Sequence, residues 1–115
     1  MSDQRFKKNI TPISSALAKV EQLRGVSFRW RAGELAGQGF PKGRKVGFIA
    51  QEVARVLPEV VTTDENGYQS VEYANLTALL AGAIRELKAE QDAEIADLEA
   101  ENDKLRLRLE ALEAR

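Results

Sequence analysis

The sequence predicts an α+β fold in which short helices and strands form one small domain that runs into a long C-terminal coiled-coil helix. Three observations predict it. All the aromatic residues lie between Phe6 and Tyr73. Within that stretch, apolar periods near 3.6 and near 2 alternate in short segments. From about Ala74 to the end the period is helical throughout, in a composition dominated by Ala, Leu, Glu, Asp, Lys and Arg. The expected division is a globular core at 1–73 and a helix at 74–115.

Residues 1–10 are polar and carry no clear period. Thr11 then reads as a helix N-cap, with Pro12 at the first helical position, where its missing N–H is harmless. Ile13, Ala16, Leu17, Val20 and Leu23 follow at spacings of three and four, one apolar stripe, and Gly25 stands where a left-handed C-terminal cap is expected. Val26, Phe28 and Trp30 alternate with Ser27, Arg29 and Arg31, the pattern of a half-buried strand. Residues 32–45 hold four of the eight glycines and one proline, which predicts an exposed loop, followed by a short strand over Val46–Ile49. Ala50–Leu57 reads as a helix with Val53, Val56 and Leu57 on one side, stopped by Pro58. Val60 and Val61 and then Tyr68–Tyr73 read as two strands. Asn66 and Gly67 between them tolerate the positive φ of a tight turn.

In the long helix, the predicted seam is Leu80, Ile84, Leu87, Gln91, Ile95, Leu98, Asn102, Leu105, Leu109 and Leu112. Spacings of three and four alternate except for two consecutive fours around Gln91, a stutter that locally unwinds a left-handed supercoil. Beyond it, Ile95, Asn102 and Leu109 fall at a positions and Leu98, Leu105 and Leu112 at d. Parallel, in-register pairing then sets Glu101 against Arg106 and Arg108 against Glu113, although Glu94 meets Glu99. The competing expectation is a lone amphipathic helix packed on its own domain, but a core drawn from so few residues leaves little to cover so long a helix.

At 115 residues the chain has room for one small domain, and small cores usually need oligomerisation to be stable. With 43% hydrophobic and 30% charged residues it is not a disordered tail as a whole. A net charge of −1 argues against nucleic acid as the main partner. There is no Cys and no His, which removes disulfides, thiol chemistry and the usual zinc sites; no cofactor is expected. No apolar run approaches the ~20 residues of a membrane span. The glycines of 32–45 open no phosphate loop, since no Gly-Lys-Ser or Gly-Lys-Thr leads into a helix. Asp64 and Glu65 fit a hairpin turn better than a calcium loop. Nucleophilic chemistry, if present, must therefore use Ser or Thr with Lys as base.

Ser2, Asp3, Arg5, Lys7 and Ile10 form the pattern Ser-Asp-x-Arg-x-Lys-x-x-Ile. Gly25, Val26, Phe28 and Trp30 follow, then Gly47, Phe48, Ile49, Ala50, Gln51, Glu52 and Val53, then Leu57, Pro58, Glu59 and Val60. Tyr73 opens a last helix carrying Ala83, Ile84, Glu86 and Leu87. This ordered set, over about residues 2–88, resembles the intramolecular chaperone domain that ends phage endosialidases and other tail spikes and fibres. The resemblance implies a trimeric folding aid for a trimeric fibre, made in the host cytoplasm during virion assembly. After assembly it cuts the chain just before the motif serine. Ser2 is then the nucleophile, Lys7 its general base, and Asp3 helps to position the reacting groups. Arg5, Gln51 and Glu52 are expected to support the site or the interface. A lysine acts as a base only when burial or nearby positive charge lowers its pKa, and Arg5 and Lys8 are the candidate charges. Only Met1 precedes Ser2, so the chain is expected to be the released product.

Two other function classes are compatible with these residues. One is an oligomerisation module without proteolysis, in which Ser2 and Asp3 are merely solvated and Arg5 and Lys7 pair with neighbouring acids. The other is a receptor-binding tip that stays on the fibre. The heptads and the resemblance disagree on the number of chains. Ile at a, Leu at d and one buried Asn favour a parallel dimer, whereas the resemblance implies a parallel homotrimer. The stutter, the Leu at position 109 and apolar residues such as Phe40 and Phe48 that a third subunit can cover favour the trimer.

Overall fold

The computed structural model describes residues 1–31 and 41–115. Short antiparallel strands, helices and one long C-terminal helix make up the predicted α+β architecture. Phe40 and most of the predicted glycine-rich loop lie outside the described residues.

The first helix, α1 (Ala16–Glu21), begins a turn later than its sequence suggests. Thr11 and Pro12 do not start it. Ser15 is the N-cap, in the left-handed region at φ 53° and ψ 42°, and its own side chain caps nothing. Glu86 does so instead: its carboxylate accepts from the N–H of Ala16 at 3.0 Å and of Leu17 at 2.7 Å. A cap supplied from 70 residues away leaves no local signal, which is why Thr11 looked like the start. At the other end Gln22 closes the helix at φ −87°, and Gly25 is not left-handed.

The strand β1 (Val26–Arg29) forms as predicted and pairs antiparallel with β2 (Arg44–Gly47) in the register Val26↔Gly47 to Arg29↔Arg44. The predicted strand over Val46–Ile49 thus lies earlier. Burial did not mark it, because Val46 is 84% exposed. Backbone pairing defines β2, assisted by Arg44 Nε donating to Ser27 Oγ at 2.8 Å. Phe48 and Ile49 lead instead into α2 (Ala50–Val56), with Ile49 as its extended N-cap. Pro58 then opens a 3₁₀ turn, Pro58–Val60.

The hairpin of β3 (Val61–Thr63) and β4 (Gln69–Val71) is antiparallel. Its turn is organised by Asp64, whose Oδ1 accepts from the N–H groups of Asn66 and Tyr68, both at 2.9 Å. Gly67 takes the positive φ at 84°, whereas Asn66 does not. Helix α3 (Tyr73–Glu113) has 41 residues, about 60 Å at the usual rise.

Ala16, Val53, Leu57, Val60, Leu76, Leu79 and Ala83 form the core, with Leu17, Val20, Leu23, Phe48, Val61 and Val71 packed around it. Gly82 lets α1 close onto α3, since a Cβ there would stand 3.0 Å from that of Ala16. α3 therefore carries two adjacent apolar stripes. Leu76, Leu79 and Ala83, continued by Glu86, face its own domain. Leu80, Ile84 and Leu87 stand about 100° away, exposed by 44, 66 and 42%. Beyond Glu86 every residue of the helix is exposed, Ile95, Leu98, Leu105, Leu109 and Leu112 included. No helix among the described residues is long and apolar enough to cross a membrane.

Candidate functional site

The N-terminal segment closes into a hook. Asp3 caps a 3₁₀ turn over Gln4–Phe6, its Oδ1 accepting from Arg5 N–H at 2.9 Å. The turn is completed by Phe6 N–H to the Asp3 carbonyl and Lys7 N–H to the Gln4 carbonyl. One turn of this tight helix folds the chain back on itself, so residues five apart meet. Lys7 Nζ donates to Ser2 Oγ at 2.7 Å. Base catalysis requires the same pair with the proton reversed, the hydroxyl donating to a neutral amine.

Asp3 and Arg5 form a second, bidentate pair beside the first, Nε to Oδ1 at 3.1 Å and Nη2 to Oδ2 at 2.9 Å. The Arg5 guanidinium, and then its backbone N–H, hold the Asp3 carboxyl below the usual carboxylate range. Asp3 in turn raises Arg5. The positive charge of Arg5 is thus committed to Asp3, and among the described residues Lys8 makes no ion pair. The whole hook is exposed, and Phe6 and Ile10 flank it with 72 and 65% of their surface in solvent.

Gln51 and Glu52 stand in the first turn of α2. Glu52 is gripped by Arg24, Nη2 to Oε2 at 2.7 Å and Nε to Oε1 at 3.2 Å, which ties the segment after α1 to α2. That pairing keeps the Glu52 carboxyl below its ordinary range. Gln51 lines a cavity of about 710 Å³ between the β1–β2 pair and the β3–β4 hairpin, walled by Phe28, Trp30, Phe48 and Tyr73. Gln69 Oε1 is buried beside it without a hydrogen bond. The Tyr73 hydroxyl accepts from Phe48 N–H at 3.1 Å, in the space that a Cβ on Gly47 would fill. Among the described residues no group of three or more Asp or Glu side chains converges to hold a metal.

The fold thus brings together Ser2, Lys7, Asp3 and Arg5, and places Gln51 and Glu52 on α2. Sequence reasoning missed Arg24 and the roles of Tyr73 and Glu86. Each acts through a contact of long sequence separation that no local pattern announces.

Residues 2–62 match the model of a family described as the chaperone of endosialidase. The chain is 37% identical to the long tail fiber protein Gp37 of Enterobacteria phage K3, over 76% of this chain and 7% of that protein. The figures are the same for Gp37 of Enterobacteria phage T2. Gp37 of Escherichia phage AR1 is 33% identical over 74% of this chain and 8% of its own length. The chain therefore spans less than a tenth of the length of the curated relatives it matches.

Proposed function

The chain belongs to the chaperone of endosialidase family, and we propose that it is a self-releasing folding module of a phage tail fibre, acting in the host cytoplasm during virion assembly. The hydrogen bond between Lys7 Nζ and Ser2 Oγ carries this reading. Ser2 Oγ attacks the carbonyl carbon of the residue before it, the position that Met1 holds here. Neutral Lys7 takes the hydroxyl proton and passes it to the departing amide nitrogen of Ser2. The C–N bond breaks as the C–O bond forms, giving an ester. Water then resolves the ester, leaving an upstream carboxylate and restoring the serine hydroxyl.

Lysine can play this part only once desolvated or placed near positive charge. The hook is exposed in the single chain and flanked by bare Phe6 and Ile10, so the reading makes assembly the trigger: packing of three chains buries the hook and frees Lys7 to act as a base. The module divides into a core at 1–73 and an oligomerisation helix at 74–115 whose first turns also close the core. Ile84, Leu87, Ile95, Leu98, Leu105, Leu109 and Leu112, exposed on one chain, form the seam of a parallel homotrimer, with Gln91 and Asn102 at its axis. That stripe by itself also favours a second reading, a trimerisation module without proteolysis.

A chain extended upstream by native fibre sequence separates the two on a denaturing gel. The proposal expects two fragments from the parent, and one band from Ser2→Ala, Lys7→Ala and Lys7→Arg, since a guanidinium is no base near neutral pH. A single band from the parent leaves the non-enzymatic module.

A further inference from the structure

We infer that Glu86 is a positioning residue for this self-cleavage: it latches the root of the N-terminal arm, which bears Ser2 and Lys7, onto the helix that carries the oligomer seam. The inference rests on the Ser2–Lys7 reading and deepens it.

Both Glu86 carboxylate oxygens are used on α1, on the N–H groups of Ala16 and Leu17. Those groups sit where the arm joins the folded domain. Ser15, the residue next to them, is left-handed at φ 53° and makes no side-chain cap of its own. A serine keeps such a conformation only where its surroundings impose it. Two features impose it here: the carboxylate cap, and Ala16 seated fully buried against Gly82. The chain turns again at Asn9, also left-handed at φ 55°. These two backbone bends set the direction in which residues 1–8 leave the domain, and the nearer bend is held by Glu86.

The position of Glu86 on α3 gives the latch its meaning. It ends the stripe that faces the core, and it is the immediate neighbour of Leu87 and two residues from Ile84, both on the open stripe. When other chains cover Ile84 and Leu87, the stretch of helix that holds the arm is fixed with respect to the oligomer axis. The arm's root is then fixed as well. Without the carboxylate, the seam can still assemble, but Ser15 keeps only the packing of Ala16 against Gly82 to hold its bend, and the hook is delivered less narrowly to one place in the assembly. A hook that samples many directions spends a correspondingly small fraction of its time in the reactive geometry.

The test uses the upstream-extended chain with Glu86→Ala, Glu86→Gln and Val53→Ala, the last a core variant on α2 that leaves the Glu86 carboxylate in place. Self-cleavage is followed in time, oligomer mass by light scattering, and the exchange of backbone amide hydrogens by mass spectrometry. The expected result for Glu86→Ala is unchanged oligomer mass, at least tenfold faster exchange at Ala16 and Leu17 with α2 still protected, and at least tenfold slower cleavage. Glu86→Gln, whose amide keeps one acceptor oxygen and nearly the same volume, lies between Ala and the parent and serves if the Ala variant does not fold. Val53→Ala is processed at the parental rate while it remains folded. Parental cleavage by Glu86→Ala, or equal slowing in Val53→Ala, overturns the positioning role. Unchanged protection of Ala16 and Leu17 overturns the latch itself. A parent that never cleaves overturns the Ser2–Lys7 reading, and the exchange at Ala16 and Leu17 then still decides whether the latch exists.

Discussion

Gly47→Ala tests the packing that joins the β1–β2 ribbon to the start of α3. A methyl at this position would stand 2.8 Å from the Tyr73 hydroxyl and 3.4 Å from Phe28 Cε1. Admitting it requires the tyrosine to move by several tenths of an ångström. The hydroxyl would lose the hydrogen bond it accepts from Phe48 N–H, worth about 1 kcal/mol, and the stacking of the ring on Phe48 at 6.1 Å would be disturbed. Overpacking of this kind costs ~1–3 kcal/mol, so the substitution should destabilise by about 2 kcal/mol, roughly 30-fold in the folded-to-unfolded ratio. Tyr73→Phe removes the obstructing atom at a cost of about 1 kcal/mol. The nearest remaining contacts are then 3.4 Å to Phe28 and 3.8 Å to the ring carbon Cζ, which an alanine tolerates. In that background Gly47→Ala should add less than about 0.5 kcal/mol, a coupling of roughly 1.5 kcal/mol. Urea unfolding at one fixed protomer concentration measures all four corners of the cycle. Additive effects within about 0.5 kcal/mol would refute the claim that the tyrosine hydroxyl is what keeps position 47 a glycine.

Leu79 is fully buried between α3 and the core, so Leu79→Ala should cost about 2–5 kcal/mol, read as a lower urea midpoint at unchanged slope. The Glu52 carboxyl is depressed by Arg24; the unfolded state therefore takes up its proton first as pH falls. The stabilisation is present above the ordinary glutamate pKa and disappears as pH falls through the lower folded value. Glu52→Gln should accordingly flatten the acid limb of the stability profile and leave its neutral-to-alkaline shape unchanged; an unaltered acid limb counts against the clamp. Light scattering at micromolar concentration should give the mass of three chains. Two chains contradict the trimer, and one chain contradicts the coiled coil as well.

The parts of this molecule that were legible in the sequence are those whose cause is local. The alternation of Val26 and Phe28 marked β1, Pro58 marked the end of α2, and the unbroken period after Ala74 marked α3. Ser2 and Lys7 are named only through the family that the ordered motifs resemble; in the structure a 3₁₀ turn capped by Asp3 brings the two within 2.7 Å. What could not be read has a distant cause. Pro12 fits a helix start well, yet α1 waits for Ala16 because its cap is Glu86. β2 includes charged, exposed Arg44 and Lys45 because β1 supplies its hydrogen bonds, not because it buries a face. Gly47 gave no sign of the tyrosine 26 residues away that needs its missing side chain. The Asp3–Arg5 pair is the exception: its cause is local, but the sequence leaves open which acid Arg5 meets.

Intact mass spectrometry of the upstream-extended chain, sampled in time after assembly, tests the central claim most directly. The proposed chemistry predicts two products whose masses sum to that of the parent plus one water, the downstream product beginning at Ser2, and neither product from Lys7→Arg. A cut at any other bond, or the same cut in Ser2→Ala, would contradict it.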